Sequence, residues 1–175
     1  DVDLLPSLEL RPYYVQLPTE KPIHIARVWD RYNSNPSYFG GVVSFSKEMF
    51  ERVNGFPNTF WGWGGEDDEL FKRTVKAKLT SIAPTEGSLT DMEDMNLDKK
   101  LAFLRTNKIL KCMNKHEVLA EHDATWRSNG LHDLKYTEVA RKALDPAGKC
   151  IKVTVDVMLN GHWTDDRCGI DDTQL

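Results

Sequence analysis

The chain predicts a layered fold of mixed strands and helices, α/β or α+β, and three observations carry that prediction. Strand-like and helix-like runs are interspersed along 175 residues without a regular βα repeat. A length of this order fits one domain, or the larger part of one, with its own core. The first residues, Asp1-Val2-Asp3-Leu4-Leu5-Pro6, read as the end of a buried strand entering a loop, so the acids project at the strand's carboxyl end. From that opening we expect the βαβ half of the fold, and any targeting or anchoring segment, to lie upstream of Asp1.

The remaining elements follow in order. Ile23 to Trp29 has β-branched character, and Tyr38 to Ser46 sets Val42, Val43 and Phe45 behind Gly40-Gly41, so both read as strands of one sheet. Ser46 is a good N-cap for a helix whose Met49, Phe50 and Val53 share a face and which Gly55 ends. Leu70, Phe71, Val75 and Leu79 recur at helical spacing and place Glu66 to Asp68 at the start of a second helix. Thr85 to Asn96 carries few apolar residues and reads as a loop. Leu97 to Asn107 and Glu117 to Trp126 read as short helices. Ser128-Asn129-Gly130 supplies turn chemistry ahead of a strand-like Lys135 to Val139. Cys150 to Leu159 is the clearest alternating strand, with Ile151, Val153, Val155 and Val157 on one face.

Composition narrows the partners. A formal net charge of -4, with scattered basic residues, argues against binding nucleic acid through its phosphates and leaves sugars or proteins. No apolar run approaches the roughly 20 residues of a spanning helix, so a membrane anchor is expected only upstream. Asn35-Pro36-Ser37 is no glycosylation site because of its central proline. Three cysteines permit at most one internal bridge; Cys150 and Cys168 flank a strand-like run and would leave Cys112 over, and three free thiols is the other reading.

The chemistry concentrates in Trp61-Gly62-Trp63-Gly64-Gly65-Glu66-Asp67-Asp68-Glu69, which joins two indoles, three glycines and four consecutive carboxylates. Adjacent acids repel and dense glycine costs backbone entropy, so folding alone gives little reason for this combination. Glycines let backbone approach a ligand and a loop swing. Indole faces stack on sugar rings, and carboxylates offer a general base and acceptors for hydroxyl groups. The same acids would also favour a helix N-terminus through its macrodipole.

At this point the sequence resembles the β-1,4-galactosyltransferase family. The motifs that carry the resemblance are Asp1-Val2-Asp3-Leu4-Leu5-Pro6, Tyr38-Phe39-Gly40-Gly41-Val42 with Ser46-Lys47, Asn54-Gly55-Phe56-Pro57-Asn58, the Trp-Gly-Trp-Gly-Gly-Glu-Asp-Asp run, Asn129-Gly130-Leu131 with Leu134-Lys135-Tyr136, and Val153-Thr154-Val155-Asp156-Val157. The resemblance implies a Rossmann-like nucleotide-diphospho-sugar transferase fold of GT-A type, whose N-terminal nucleotide-binding strands lie outside this chain. Residues 1–175 would form the C-terminal part of one catalytic domain. It further implies an inverting transfer of galactose from UDP-galactose to a terminal sugar hydroxyl of a glycan acceptor, with Mn²⁺ as cofactor. In the family's setting the full-length protein would be a type II membrane protein of the Golgi lumen.

Residue by residue, Asp67 resembles the catalytic base. Glu66, Asp68 and Gly65 match acceptor-side positions, and Trp63 matches the mobile loop that closes over donor and acceptor. Asp3 resembles the metal-binding aspartate and Asp1 its neighbour on the ribose side. Tyr38 resembles the residue whose bulk favours galactose over N-acetylgalactosamine, and Arg31, in Asp30-Arg31-Tyr32, matches a basic residue near the nucleotide.

The chain also departs from the family. Its further metal ligands come from a Met-x-x-His or His-x-His segment, whereas this chain reads Thr90-Asp91-Met92-Glu93-Asp94-Met95 with no histidine. The pair is Met92 with Met95 or Asp91 with Asp94. Carboxylates suit Mn²⁺ better than thioethers, which favours Asp94 with Asp91 or Met92 beside it; an enzyme with weak or no metal dependence stays open. Asn35 stands where many members carry an aromatic, and Lys115, His116 and Leu119 replace the residues that close around an N-acetyl group. The acceptor is thereby left open among N-acetylglucosamine, glucose and xylose types. Two alternatives stand beside this reading: an N-acetylgalactosaminyltransferase of the chondroitin-synthesising type, and a non-catalytic sugar-binding paralogue.

Overall fold

The computed structural model describes residues 1–32, 34–60, 63–106 and 115–157. Its strands form three antiparallel pairs. Strand β1 (Leu4–Pro6) pairs with β4 (Leu89–Asp91) in the register Leu4 with Asp91 and Pro6 with Leu89. Strand β2 (Ile23–His24) pairs with β3 (Val43–Ser44), and Ile23 also bridges in parallel to Ile82. Strand β5 (Tyr136–Ala143) and β6 (Ile151–Val157) make a hairpin with a bulge between Glu138 and Ala140.

The expected strand from Ile23 to Trp29 is cut short because Ile25–Val28 turns into a 3₁₀ helix, which carries Trp29 and Arg31 away from the ladder. The expected loop at Thr85 to Asn96 contains β4, a strand of three residues whose periodic signal is too brief to stand out. Within the reading from Cys150 to Leu159, β6 spans Ile151–Val157, and Met158 and Leu159 lie outside the described residues.

After α1 (Arg11–Val15), α2 (Lys47–Arg52) starts as expected: the Ser46 hydroxyl accepts a hydrogen bond from the Met49 amide at 3.2 Å. It stops where Asn54 and Gly55 both turn left-handed, at φ 60° and 63°, with the Gly55 amide donating to the Phe50 carbonyl. Helix α3 spans Glu66–Lys76, with its four acids in the first turn and Arg73 and Lys76 in the last. Charge thus complements the macrodipole at both ends. Its buried face differs from the expected stripe: Leu70 is buried but Val75 is exposed, and Glu69, Arg73 and Thr74 are buried instead. Helices α4 (Leu97–Thr106), α5 (Lys115–Ala120) and α6 (His122–Thr125) follow.

Two apolar clusters lie beneath the site. Leu4, Leu10, Ile23, Ile25, Ala26, Trp29, Tyr38 and Leu89 form one; Phe39, Val53, Leu70 and Ala77 form the other, with Phe45, Phe50 and Phe71 packed against it. Tyr38 and Phe39 are consecutive and belong to different clusters, so the segment leading into Gly40-Gly41 is anchored from both sides. The hairpin contrasts with this. Ile151, Val153, Val155 and Val157 share a face as the alternation predicts, yet each is 40–49% exposed.

Candidate active site

The first turn of α3 and the segment of Tyr38, Gly40 and Gly41 border one open cavity of about 480 Å³. Asp1, Asp3, Arg31, Tyr38, Trp63, Gly65, Glu66, Asp67, Asp68 and Lys115 all line it, together with Trp29, Tyr32, Asn35, Glu93 and Lys100. Residues far apart in the sequence therefore meet around one space. Trp61 and Gly62 lie outside the described residues, as do Cys112 and Cys168, and with them the expected Cys150–Cys168 pairing; Cys150 itself is exposed.

Glycine is required where chain and side chains crowd together. A Cβ on Gly40 would collide with Oδ2 of Asp67 and stand 2.8 Å from the Tyr38 ring. Gly40 thus lets the Asp67 carboxylate lie against backbone. Gly65, just before α3, has φ 96°, and a Cβ there would approach the Phe60 ring to 2.5 Å.

Asp67 is the most perturbed acid of the site. Burial, then the neighbouring Glu66 and Asp68, push its carboxyl up to about 6. The Asp68 amide donates to Asp67 Oδ1 at 2.9 Å, which fixes the rotamer and leaves Oδ2 toward Gly40. Tyr38 stacks on Tyr32, with centroids 4.3 Å apart, and meets Trp29 edge-on. Burial chiefly, with Asp67 nearby, raises its phenol well above the ordinary range, so it stands in the site as a neutral donor. Below it, His24 Nε2 lies 3.1 Å from the Gly40 carbonyl oxygen, and burial lowers that imidazole to about 4.

A rigid base supports the acids of α3. Buried Glu69 Oε1 receives Arg73 Nε at 2.9 Å and lies 2.8 Å from His122 Nδ1 on α6. Arg73 Nη1 donates to the carbonyls of Asn54 and Gly55, at 3.2 and 3.1 Å. Asn54 in turn donates through Nδ2 to the carbonyls of Trp126 and Asn129 and accepts at Oδ1 from the His132 amide. This network explains the polar face of α3. The spacing of Glu69 and Arg73 four residues apart is visible in the sequence, but not their burial, and His122 carried no signal there.

A second acidic cluster lies across the cavity. Asp3, Asp91 and Glu93 each offer a carboxylate oxygen within 4.8 Å of the others. The hard oxygen donors of this set suit Mn²⁺. Of the expected ligands it holds Asp3 and Asp91, with Glu93 beside them; Asp94 and Met92 are exposed, Asp94 at a left-handed φ of 52° and Met92 64% exposed, whereas Asp91 and Glu93 are half-buried. The reason is a tight turn after β4: the Glu93 amide donates to Asp91 Oδ1 at 2.9 Å and the Asp94 amide to the Asp91 carbonyl at 3.3 Å, which folds Glu93 back beside Asp91. Glu93 went unread because only the fold of this turn against Asp3 brings it into the cluster.

Arg31 joins this cluster. Its guanidinium pairs with Asp91 and Glu93, and Lys100 pairs with Glu93. Hydrogen bonding from Lys100, and then from Arg31, holds the Glu93 carboxyl below its ordinary range. On the acceptor side, Lys115 Nζ stands 5.2 Å over the Trp63 ring and beside Gly64, so it tethers the glycine-rich loop. His116 is exposed and Leu119 half-buried, and neither lines the cavity; the Leu119 carbonyl accepts from Lys72 Nζ at 2.7 Å.

The chain is similar to known proteins. A family model described as the N-terminal domain of galactosyltransferase matches residues 20–97. Human β-1,4-galactosyltransferase 2 is 45% identical over 93% of this chain and 41% of its own length, and human β-1,4-galactosyltransferase 1 is 46% identical over 78% and 32%. Among solved structures, the catalytic domain of Drosophila β-1,4-galactosyltransferase 7 in complex with xylobiose superposes with a TM-score of 0.70 and 26% identity, over 94% of this chain and 69% of that one. A mutant of that enzyme in complex with manganese, UDP-Gal and xylobiose gives 0.67 and 26%, over 91% and 66%.

The fold is therefore that of a GT-A-like glycosyltransferase catalytic domain. Within that class, the family model and the curated relatives support the β-1,4-galactosyltransferase family. The chain spans 32% and 41% of the length of these two curated relatives.

Proposed function

We propose that this chain is the catalytic, acceptor-facing part of an inverting hexosyltransferase that moves galactose from UDP-galactose to a terminal sugar hydroxyl in β-1,4 linkage. The observation that carries the reading is Asp67: a desolvated carboxylate, set against Gly40 at the start of a braced helix, opposite a cluster of metal-suited acids. The match to the family and the solved relative with manganese and UDP-Gal support it. Residues 1–175 then form part of a single catalytic domain.

The residues suggest a division of labour. Asp67 accepts the proton of the acceptor hydroxyl as that oxygen bonds to the anomeric carbon of galactose. The bond from that carbon to the UDP diphosphate breaks on the opposite face, and configuration inverts. Glu66 and Asp68 accept hydrogen bonds from the acceptor's other hydroxyls, and Trp63 offers its ring to a sugar face. Tyr38 crowds the donor sugar near its second carbon and favours galactose. Asp3, Asp91 and Glu93 would hold Mn²⁺, which supplies positive charge for the departing diphosphate.

Xylose-type acceptors head the panel because the solved relative holds xylobiose, with N-acetylglucosamine and glucose next. The Golgi lumen is proposed from the family alone; no described helix is long and apolar enough to cross a membrane. The test is titration of the full-length protein with UDP-galactose, with and without Mn²⁺, followed by UDP release against these sugars. Acceptor-stimulated UDP release is the expected result. Sugar binding without nucleotide binding would overturn the transferase reading in favour of a sugar-binding paralogue.

A further inference from the structure

We propose that Arg31, with Lys100 behind it, is a built-in counter-cation for the metal-binding acids, so that metal loading and withdrawal of the Arg31 guanidinium are one exchange. The proposal rests on the metal reading of Asp3, Asp91 and Glu93 given above. It concerns how this chain keeps that site when no metal is bound.

The contacts define the competition. Arg31 Nη2 donates to Asp91 Oδ2, to Glu93 Oε2 at 3.1 Å and to the Met95 carbonyl, and Nη1 donates to Glu93 Oε2 at 3.1 Å. Lys100 Nζ donates to Glu93 Oε1. Both outer acids are thus already neutralised by side chains, and the pairs are sheltered: side-chain exposure is 5% for Arg31, 13% for Lys100, 15% for Asp91 and 24% for Glu93. Charges this sheltered interact more strongly than surface pairs. A divalent ion bound to the same oxygens would stand beside the guanidinium, and that repulsion disfavours joint occupancy. Three carboxylates facing one guanidinium and one ammonium carry a single net negative charge; replacing the guanidinium by a divalent ion brings the group to neutrality.

Arg31 is also built to leave. Its Nε is buried and has no hydrogen-bond partner among the described residues, where the guanidinium is held by its outer nitrogens. Its carbon lies 4.6 Å from the Trp29 ring centroid and 5.9 Å from that of Tyr32. These faces give it a place to stack in either position. Arg31, Trp29 and Tyr32 all line the cavity, so withdrawal turns the guanidinium toward space where an anionic ligand would sit.

The exchange is tested on the full-length protein by Mn²⁺ titration, read by calorimetry and by the electron spin resonance of free Mn²⁺, with Arg31→Met, Arg31→Gln, Lys100→Met and Asp91→Asn. Removing a competing charge from a sheltered site should tighten Mn²⁺ binding about tenfold or more in both Arg31 variants, and less in Lys100→Met. Mn²⁺ should likewise raise the melting temperature of Arg31→Met more than that of the parent. Arg141→Met, which breaks the exposed pair with Glu138, should change neither. If the Arg31 variants keep their circular dichroism but bind Mn²⁺ no more tightly, while Asp91→Asn loses binding, the exchange is overturned and the metal site stands. If Asp91→Asn binds Mn²⁺ like the parent, the metal reading itself fails.

Discussion

Two groups of acids flank the same cavity with opposite electrostatic settings. Glu66, Asp67 and Asp68 begin α3 side by side, and burial with mutual repulsion drives Asp67 up to about 6. Asp91 and Glu93, with Asp3 near them, are met by Arg31 and Lys100, and Glu93 is driven down. What separates a base from a ligand set is where the cations stand. An acid without a close counter-charge holds a proton more readily and serves as a base near neutrality; an acid with one stays ionised and suits a metal.

The comparison is broken most strongly at Asp67. Asp67→Asn should lower transfer by about 10²- to 10⁴-fold, the usual contribution of a positioned base, and leave Mn²⁺ affinity unchanged. The same variant should be more stable. Because the folded pKa lies above the unfolded one, Asp67 destabilises the fold increasingly as pH rises from about 4 to about 6, and the cost persists above that. Asn should therefore gain about 1 to 3 kcal/mol at pH 7, and the gain should vanish below pH 4. Urea unfolding at both pH values checks this, and transfer by the parent should rise with pH through about 6.

A smaller effect sharpens the geometry. The methyl of Gly40→Ala would meet Asp67 Oδ2, so the carboxylate must shift, and kcat should fall about tenfold to a hundredfold with metal binding intact. A similar fall in metal affinity would show that the two acid groups are not independent. Smallest in rate is Tyr38→Leu, which should widen donor use toward N-acetylgalactosamine while galactose transfer changes little; competition between the two UDP-sugars measures it.

Much of this arrangement was legible in the sequence because it is local. Ser46 as a cap, Gly55 as a stop, and Glu66 to Asp68 at a helix start all depend on spacing within one turn. The same holds for the shared face of Ile151, Val153, Val155 and Val157. What was hidden depends on residues far apart. The strand β4 is defined by its pairing with β1, and Glu93 by its nearness to Asp3. Val75 yields its place on the buried face of α3 because Glu69 and Arg73 find partners at His122, Asn54 and Gly55. Polar side chains look like surface until such partners are in place.

Those partners also set a timetable. The Asn54 hub binds segments more than seventy positions apart in the chain, through Trp126, Asn129 and His132. The brace under α3 waits on Arg73 and His122 as well. Long-range contacts of this kind form late. At a synthesis rate of about 5–20 residues per second, Asp67 would leave the ribosome several seconds before His132. During that interval its carboxyl would titrate as it does in a peptide, so the base acquires its reactivity only as the last turn of the hub closes.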